Sequence, residues 1–166
     1  MTATTTPTTT TQTTTTPTTT ATPLPAECRS AINLTEYWRK DHSDSGIRPV
    51  DGNYNCDTRD MIAAGRPWFR FAGPAGNRLL DHCIPSYWSN NRGSCGTGAA
   101  LWSNDQMPKS IGSVTTINVY GSYNSNCKWY SGAQCEVMRC SNEAHDYIYR
   151  ILSATSTCNY GFCGMN

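Results

Sequence analysis

The sequence predicts an all-β or β-rich, loop-heavy domain that is stapled by disulfide bonds and preceded by a disordered Thr/Pro tract. Three observations support this fold class. Sixteen of the first 23 residues are threonine, and all nine cysteines lie between residues 28 and 163. The apolar residues of that second part fall in short runs between clusters of glycine, asparagine and serine. We therefore divide the chain into a stalk, residues 1–26, and one domain, residues 27–166.

The stalk has a composition that opposes folding. No residue before Glu27 is charged, and few are apolar. Such a segment buries too little surface to offset the conformational entropy that folding would remove. Tracts rich in Thr and Pro are typical of O-glycosylated, mucin-like stems. We expect residues 1–26 to be a disordered, mucin-like stalk.

The domain is expected to consist of short strands joined by turns. Residues 68–71 alternate between apolar and polar side chains, and residues 114–120 are dense in β-branched residues. Two further strands are expected at 136–139 and 147–152. Only residues 34–40 could have apolar side chains spaced as in a helix, and this segment is too short to form a helix on its own.

The cysteines indicate a disulfide framework. They lie at positions 28, 56, 83, 95, 127, 135, 140, 158 and 163, and no pair has the C-x₂-C spacing typical of zinc sites. Cys135 with Cys140 and Cys158 with Cys163 are the pairs that could formally bind a metal. Disulfide bonds place the domain in an oxidising compartment. The alternative is a cytosolic protein with nine reduced thiols.

Charge and hydropathy exclude several classes of partner. The chain carries 13 basic and 12 acidic residues without a basic block, so nucleic acid and anionic membranes are poor partners. No apolar run approaches the ~20 residues of a membrane span. The residues after Met1 do not resemble a signal peptide. We interpret the chain as a fragment of an extracellular, secreted or surface protein whose targeting segment is absent from it.

Asn33 is a candidate site of N-glycosylation. Asn33-Leu34-Thr35 is the only N-x-[ST] sequon in the chain. A glycan there requires a surface position and passage through the secretory route. The alternative is a helix cap, because Asn33 and Glu36 have the spacing of a capping box.

No catalytic residue, metal ligand or cofactor is expected. The chain has three histidines and no G-x-S-x-G motif. Gly93-Ser94-Cys95-Gly96 could be a nucleophile turn with His82 or His145 as base, but a disulfide-bonded Cys95 cannot act as a nucleophile. The segment 41–46 has the composition of a calcium loop, yet its twelfth position is Gly52, where an EF-hand requires glutamate. A polar surface loop is the better interpretation.

Aromatic residues near the predicted turns are candidates for ligand contact. The set comprises Trp88, Trp102, Tyr123, Trp129 and Tyr130. If they are exposed together, their rings could stack on sugars or on a protein partner. The alternative is that they fill the core of a small stapled domain.

Several motifs together resemble a known family. They are Leu34-Thr35-Glu36-Tyr37-Trp38-Arg39, Tyr54-Asn55-Cys56-Asp57-Thr58, Trp68-Phe69-Arg70-Phe71, Gly73-Pro74-Ala75-Gly76-Asn77-Arg78, Cys83-Ile84-Pro85, Cys127-Lys128-Trp129-Tyr130-Ser131-Gly132, Val137-Met138-Arg139-Cys140 and Tyr147-Ile148-Tyr149, with Cys158 and Cys163 following. This pattern, over residues 28–163, resembles the eight-cysteine domain of the uromodulin and zymogen-granule membrane glycoprotein family. The resemblance implies a non-enzymatic extracellular module of a larger glycoprotein that acts in adhesion, matrix or polymer assembly.

The resemblance also implies a disulfide pairing. It pairs Cys28 with Cys140, Cys56 with Cys158 and Cys95 with Cys163, and leaves Cys83, Cys127 and Cys135 to compete for one bond. A family loop of matching length favours Cys127 with Cys135, which leaves Cys83 as the free thiol. An exposed odd cysteine could then form a covalent dimer.

The expected partners are extracellular proteins or glycans. A lectin-like domain that uses surface Trp and Tyr is the first alternative, and a secreted hydrolase is the second. In the family, glycans that bacterial adhesins bind are carried on a sequon whose counterpart here, 149–152, has no asparagine.

Overall fold

The computed structural model describes residues 1, 23–41, 55, 57–84, 95–123, 125–153 and 160–166, with the backbone alone for 58–60. The expected disorder of the stalk falls almost entirely outside this range, as do most of segment 41–46 and residue Trp88. Within the described range the domain is rich in strands and has few helices, so the predicted β-rich, disulfide-stapled fold class is confirmed.

Nine strands, two short helices and two 3₁₀ turns make up the described part of the chain. The strands are β1 (Ile32–Leu34), β2 (Phe69–Phe71), β3 (Arg78–Leu79), β4 (Ala99–Trp102), β5 (Val114–Tyr123), β6 (Asn126–Arg139), β7 (Tyr147–Ser153), β8 (Tyr160–Phe162) and β9 (Gly164–Met165). The helices are α1 (Ala26–Ser30) and α2 (Thr58–Ala63), and the 3₁₀ turns are Tyr37–Arg39 and Gly73–Ala75.

Seven of the strands form one mixed sheet in the order β1-β2-β7-β6-β5-β4-β8. The outermost pairs, β1 with β2 and β4 with β8, are parallel, and the pairs between them are antiparallel. Strands β3 and β9 form a separate antiparallel pair. The chain therefore places β1, from near its start, and β8, from near its end, at opposite edges of the main sheet.

The hairpin of β5 and β6 forms the centre of the sheet. Its β-branched residues favour an extended backbone, and alternate side chains such as Ile117 and Val119 are fully buried. Cys135 lies opposite Ile117 on β5 and Ile151 on β7. The register between β5 and β6 shifts between Val119 and Tyr120 and again between Gly121 and Tyr123. Irregularities of this kind, such as β-bulges, increase the local twist of the strands.

The largest of the core clusters in the described residues packs several aromatic rings together. Phe69 on β2 and Phe162 on β8 have ring centroids 5.1 Å apart, and Phe69 stacks on Tyr149 at 5.7 Å. The Tyr149 hydroxyl accepts a hydrogen bond from the backbone N–H of Leu79 at 3.1 Å. This bond satisfies the polar end of a fully buried side chain and ties β3 to β7.

The predicted strands match the observed ones in position but are too short. Residues 114–120 form most of β5, residues 147–152 form most of β7, and 68–71 contain β2. The predicted strand 136–139 is only the last part of the 14-residue β6. Segment 34–40 contains the end of β1 and one 3₁₀ turn rather than a helix.

Three disulfide bonds close the described part of the domain. Cys28–Cys140 ties α1 to the residue after β6, with Cα atoms 5.7 Å apart, and Cys95–Cys163 has Cα atoms 5.9 Å apart. Both are pairs that the family resemblance implies. The third bond joins Cys83 to Cys127 at a Cα separation of 5.4 Å.

The expected pairing of Cys127 with Cys135 and the expected free thiol at Cys83 are therefore wrong. Cys127 and Cys135 lie on the same strand, and eight residues of extended chain span about 26 Å. Bonded cysteines have Cα atoms within roughly 7 Å of each other. Cys135 is instead the free thiol and is fully buried, so it does not offer the exposed sulfur that a covalent dimer would need.

Cys56 and Cys158 lie outside the described residues, and their bond stays a prediction. Their chain neighbourhoods support it. The backbone N–H of Asp57 donates to the carbonyl of Tyr160 at 3.0 Å, and a carboxylate oxygen of Asp57 accepts the N–H of Phe162 at 2.6 Å.

Candidate functional site: the aromatic end of the β5–β6 hairpin

Aromatic side chains gather at the end of the β5–β6 hairpin that the Cys83–Cys127 bond anchors. We call this region the hairpin end and define it by Tyr120, Tyr123, Lys128, Trp129 and Tyr130. Its disulfide fixes β6 to the segment after β3, so the side chains project from a constrained backbone. The site therefore combines aromatic surface with little conformational freedom.

Trp102 forms the buried base of this region. Its side chain packs in a cluster that includes Leu80, Ile84 and the Cys95–Cys163 disulfide, and only 5% of the residue is exposed. Its indole N–H donates to the carbonyl of Cys127 at 2.9 Å. Trp102 is therefore a core residue, as the alternative interpretation of the aromatic set holds, and it is not a surface contact for a ligand.

Tyr120 and Lys128 lie above Trp102. The Tyr120 ring lies 5.4 Å from the Trp102 ring, and the Lys128 ammonium nitrogen lies 4.2 Å from the centroid of Tyr120. This geometry is a cation–π contact, which at a partly exposed site contributes about 0.5–1 kcal/mol. The contact holds one positive charge at the hairpin end.

Trp129 and the half-buried Tyr123 form the outer part of the site. Their ring centroids are 5.4 Å apart, and 59% of Trp129 is exposed to solvent. Sequence reasoning selected both residues, and the structure brings them together across the hairpin.

Tyr130 lies on another part of the same hairpin. Its ring packs 4.8 Å from that of Tyr160 on β8, over Gly121, where a Cβ atom would lie 3.2 Å from both tyrosines. Partial burial raises the pKa of the Tyr160 hydroxyl, and the neighbouring Tyr130 adds to the rise. The predicted aromatic set is thus divided into one exposed ring, Trp129, two half-buried rings, Tyr123 and Tyr130, and one core residue, Trp102, with Trp88 outside the described range.

Asn33 is exposed on β1, an edge strand of the main sheet, and Thr35 is also exposed. The 3₁₀ turn that follows starts at Tyr37 with Glu36 at its N-cap position, and no side chain caps it. The capping interpretation of Asn33 is therefore wrong, whereas the sequon occupies an accessible segment.

A buried ion pair was not foreseen from the sequence. Arg39 donates two hydrogen bonds to Asp57, at 2.5 and 2.7 Å, and one to Glu36 at 2.7 Å. Burial raises the pKa of the Asp57 carboxyl, and the Arg39 hydrogen bonds oppose this rise. The pair lines a pocket of about 380 Å³. Because its hydrogen bonds join the 3₁₀ turn, α2 and β8, we interpret it as a structural tie.

No group of three or more His, Cys, Asp or Glu residues in the described ranges could hold a metal ion. None of the helices described is long and apolar enough to span a bilayer.

Comparison with known proteins identifies similar sequences over most of the domain. The family model of the uromodulin-like domain with eight cysteines matches residues 69–164. Uromodulin of Mus musculus is 29% identical over 136 residues, which are 82% of this chain and 18% of that protein. The pancreatic secretory granule membrane major glycoprotein GP2 of Canis lupus familiaris is 28% identical over 136 residues, 81% of this chain and 24% of that protein. The chain thus spans less than a quarter of the length of these relatives.

Proposed function

Because the chain belongs to the family of uromodulin-like eight-cysteine domains, we propose that it is a non-enzymatic extracellular module that acts in adhesion, matrix or polymer assembly. It would do so as one part of a larger secreted or surface glycoprotein. The relative that is named as a secretory granule membrane glycoprotein, together with the disulfide framework, supports an oxidising, extracellular location.

The observation that carries the proposal is the Tyr123–Trp129 pair, in which the Trp129 ring is exposed and the Tyr123 ring is half-buried beside it. Tryptophan and tyrosine are enriched among the residues that dominate binding energy at protein interfaces. A disulfide-anchored hairpin loses little conformational entropy when it binds, because its backbone is already fixed. The hairpin end therefore has the composition and the rigidity of a contact surface for an extracellular protein.

The test is to replace Trp129 in the intact secreted glycoprotein. Trp129→Ala should lower the fraction of protein retained in the extracellular matrix or in sedimenting assemblies by severalfold. Val114→Ala is the matched control, because Val114 is also an exposed apolar residue of the hairpin but lies at the start of β5. Equal retention of the two variants and the parent would refute a role for the hairpin end.

The alternative function is a lectin-like domain in which Trp129 and Tyr123 stack on a sugar. The exposed Trp129 ring favours it, since aromatic faces pack against the C–H groups of sugars. A glycan array probed with the secreted domain separates the two functions. Sugar-specific binding that Trp129→Ala abolishes would establish the lectin at the hairpin end, whereas a blank array, or binding that Trp129→Ala leaves unchanged, would favour the protein contact there.

We also propose that Asn33 carries an N-glycan. Both Asn33 and Thr35 are exposed, and β1 presents an edge that natural proteins commonly cover or blunt. A glycan on β1 would hinder the pairing of this edge with another chain. The Asn33→Gln variant should lose the mass that peptide-N-glycosidase removes from the parent protein, and an unchanged parent mass after this enzyme would exclude the modification.

A further inference from the structure

A second pocket lies on a part of the domain that the proposed function does not use. Its volume is about 470 Å³, within the range of roughly 300–1,000 Å³ typical of small-molecule sites. Residues of β3, of the segment after β4 and of the start of β7 line it, and we call it the β3–β7 pocket. The side chains that carry the argument are Arg78, Asp81, Asp105, Tyr147 and Tyr149.

Arg78 supplies hydrogen-bond donors at the wall of this pocket. Its Nε atom is buried and has no hydrogen-bond partner in the described structure. One terminal nitrogen of the same guanidinium is paired with Asp81 at 3.2 Å, which holds the side chain in place. Nε itself has almost no accessible surface, so the donors that a ligand can reach are the terminal nitrogens of the guanidinium, whose side chain is 26% exposed.

Tyr149 and Asp105 supply the complementary groups. The Tyr149 hydroxyl accepts the N–H of Leu79, so its own proton remains able to donate. The Asp105 side chain accepts two hydrogen bonds from Asn118, at 2.7 and 3.1 Å, and both go to Oδ2. Its Oδ1 remains able to accept, so the pocket offers donors and a charged acceptor side by side.

The charges around the pocket do not favour an anionic ligand. Arg78 is opposed by two carboxylates, Asp81 and Asp105, and Asp81 also contacts His82 at 3.0 Å. A ligand that suits this set is neutral and has groups that both donate and accept hydrogen bonds. Hydroxyl groups have that property, and the ring of Tyr147 adds an apolar face for C–H groups.

We propose that the β3–β7 pocket binds a neutral sugar residue, such as the unsubstituted end of a glycan chain. Arg78 and Tyr149 donate to sugar oxygens, and Asp105 accepts from a sugar hydroxyl. The site is separate from the hairpin end, and it goes beyond the proposed contact with an extracellular protein.

The experiment is a titration of the disulfide-intact domain with methyl glycosides. Saturation-transfer NMR would compare the methyl glycosides of mannose, galactose, glucose and N-acetylglucosamine, with N-acetylneuraminic acid as the anionic comparison. At least one neutral glycoside should bind, and N-acetylneuraminic acid should bind more weakly. Stronger binding of the anionic sugar, or no saturable signal from any neutral glycoside, would overturn the proposal.

Three variants locate the site. Arg78→Gln and Asp105→Asn should each weaken binding about tenfold, the effect expected from losing one charged hydrogen bond. Asp105→Asn keeps a side-chain oxygen for Asn118. Lys109→Gln is the matched control, because it also removes one positive charge but from an exposed residue outside the pocket. Equal affinities in Arg78→Gln, Asp105→Asn and the parent would overturn the proposal.

A measurement on the parent protein covers the case in which a variant fails to fold. Hydrogen exchange followed by mass spectrometry should show that the glycoside protects residues 76–82, 103–107 and 145–149. Protection confined to residues 123–130 would place the sugar at the hairpin end instead and would contradict the assignment to the β3–β7 pocket.

Discussion

At the level of single residues, Cys83 and Cys135 differ in both bonding and burial, and this difference determines whether the domain has a reactive thiol. Cys83 is half-buried and bonded to Cys127, whereas Cys135 is free and has no exposed surface. A free, buried cysteine behaves as a small apolar side chain. The odd number of cysteines therefore provides no reactive thiol at the surface of the described domain.

Substituting these two cysteines should have unequal effects. Cys83→Ser removes a bond that closes 44 residues, which costs about 4 kcal/mol in the chain-entropy model. It also leaves the Cys127 thiol free to form mixed disulfides. We expect poor secretion and disulfide-linked oligomers on non-reducing gels. Cys135→Ser should secrete without oligomers, although a hydroxyl in the core lowers stability. Normal monomeric secretion of Cys83→Ser would contradict the assignment.

Alkaline pH should destabilise the domain through Cys135. Burial raises the pKa of its thiol, whose ordinary value is about 8.5. Above that pH the unfolded chain releases a proton that the folded chain retains, so the free energy of unfolding falls by up to about 1.4 kcal/mol per pH unit. Thermal unfolding should be measured between pH 8 and 10, a range set around that ordinary pKa. The midpoint temperature should fall less steeply with pH for Cys135→Ala than for the parent. Parallel profiles for parent and variant would rule out this contribution.

At the level of secondary-structure elements, short segments are held by polar ties as well as by core packing. The 3₁₀ turn Tyr37–Arg39, α2 and β8 are each too short to be stable alone. The Arg39–Asp57 pair connects all three, because Asp57 immediately precedes α2 and accepts the N–H of Phe162 on β8.

Breaking this tie should therefore be costly. Asp57→Asn leaves the guanidinium of Arg39, which is only 4% exposed, without its buried charge partner, and we expect a loss of about 3–5 kcal/mol. Glu36→Gln is the matched control. Glu36 also pairs with Arg39, but its side chain is 49% exposed, so the loss should stay below about 1 kcal/mol. Urea unfolding measures both, and equal losses would show that burial does not set the strength of the tie.

For the whole molecule, the disulfide count is the decisive test of the framework. We expect four bonds, including Cys56–Cys158, and one thiol. Alkylation of the native domain should add no label, and alkylation after unfolding without reductant should add one label, on Cys135. Peptide mapping should recover Cys56 linked to Cys158. A label on either of these two residues would contradict the framework.

The sequence predicted the fold class and most strand positions because β-branched and alternating segments carry local signals. The Val114–Tyr123 strand was predictable from its own residues. The partner of Cys127 was not, because it depends on how far β6 extends. A longer β6 separates Cys127 from Cys135, and it turns Cys135 towards the core. The burial of Trp102 and the Arg39–Asp57 pair were likewise not predictable, since both arise from segments distant in sequence.

The positions of the disulfide bonds also determine how the domain would respond to a pulling force along the chain. Cys28 lies near the start of the domain and Cys163 near its end. The Cys28–Cys140 bond transmits the force directly from Cys28 to Cys140, so residues 29–139 carry none of it. Only the 23 residues from Cys140 to Cys163 could lengthen, to about 80 Å at full extension. The Cys28–Cys140 bond therefore confines extension to this segment, and the β5–β6 hairpin, with the hairpin end, stays outside the loaded path.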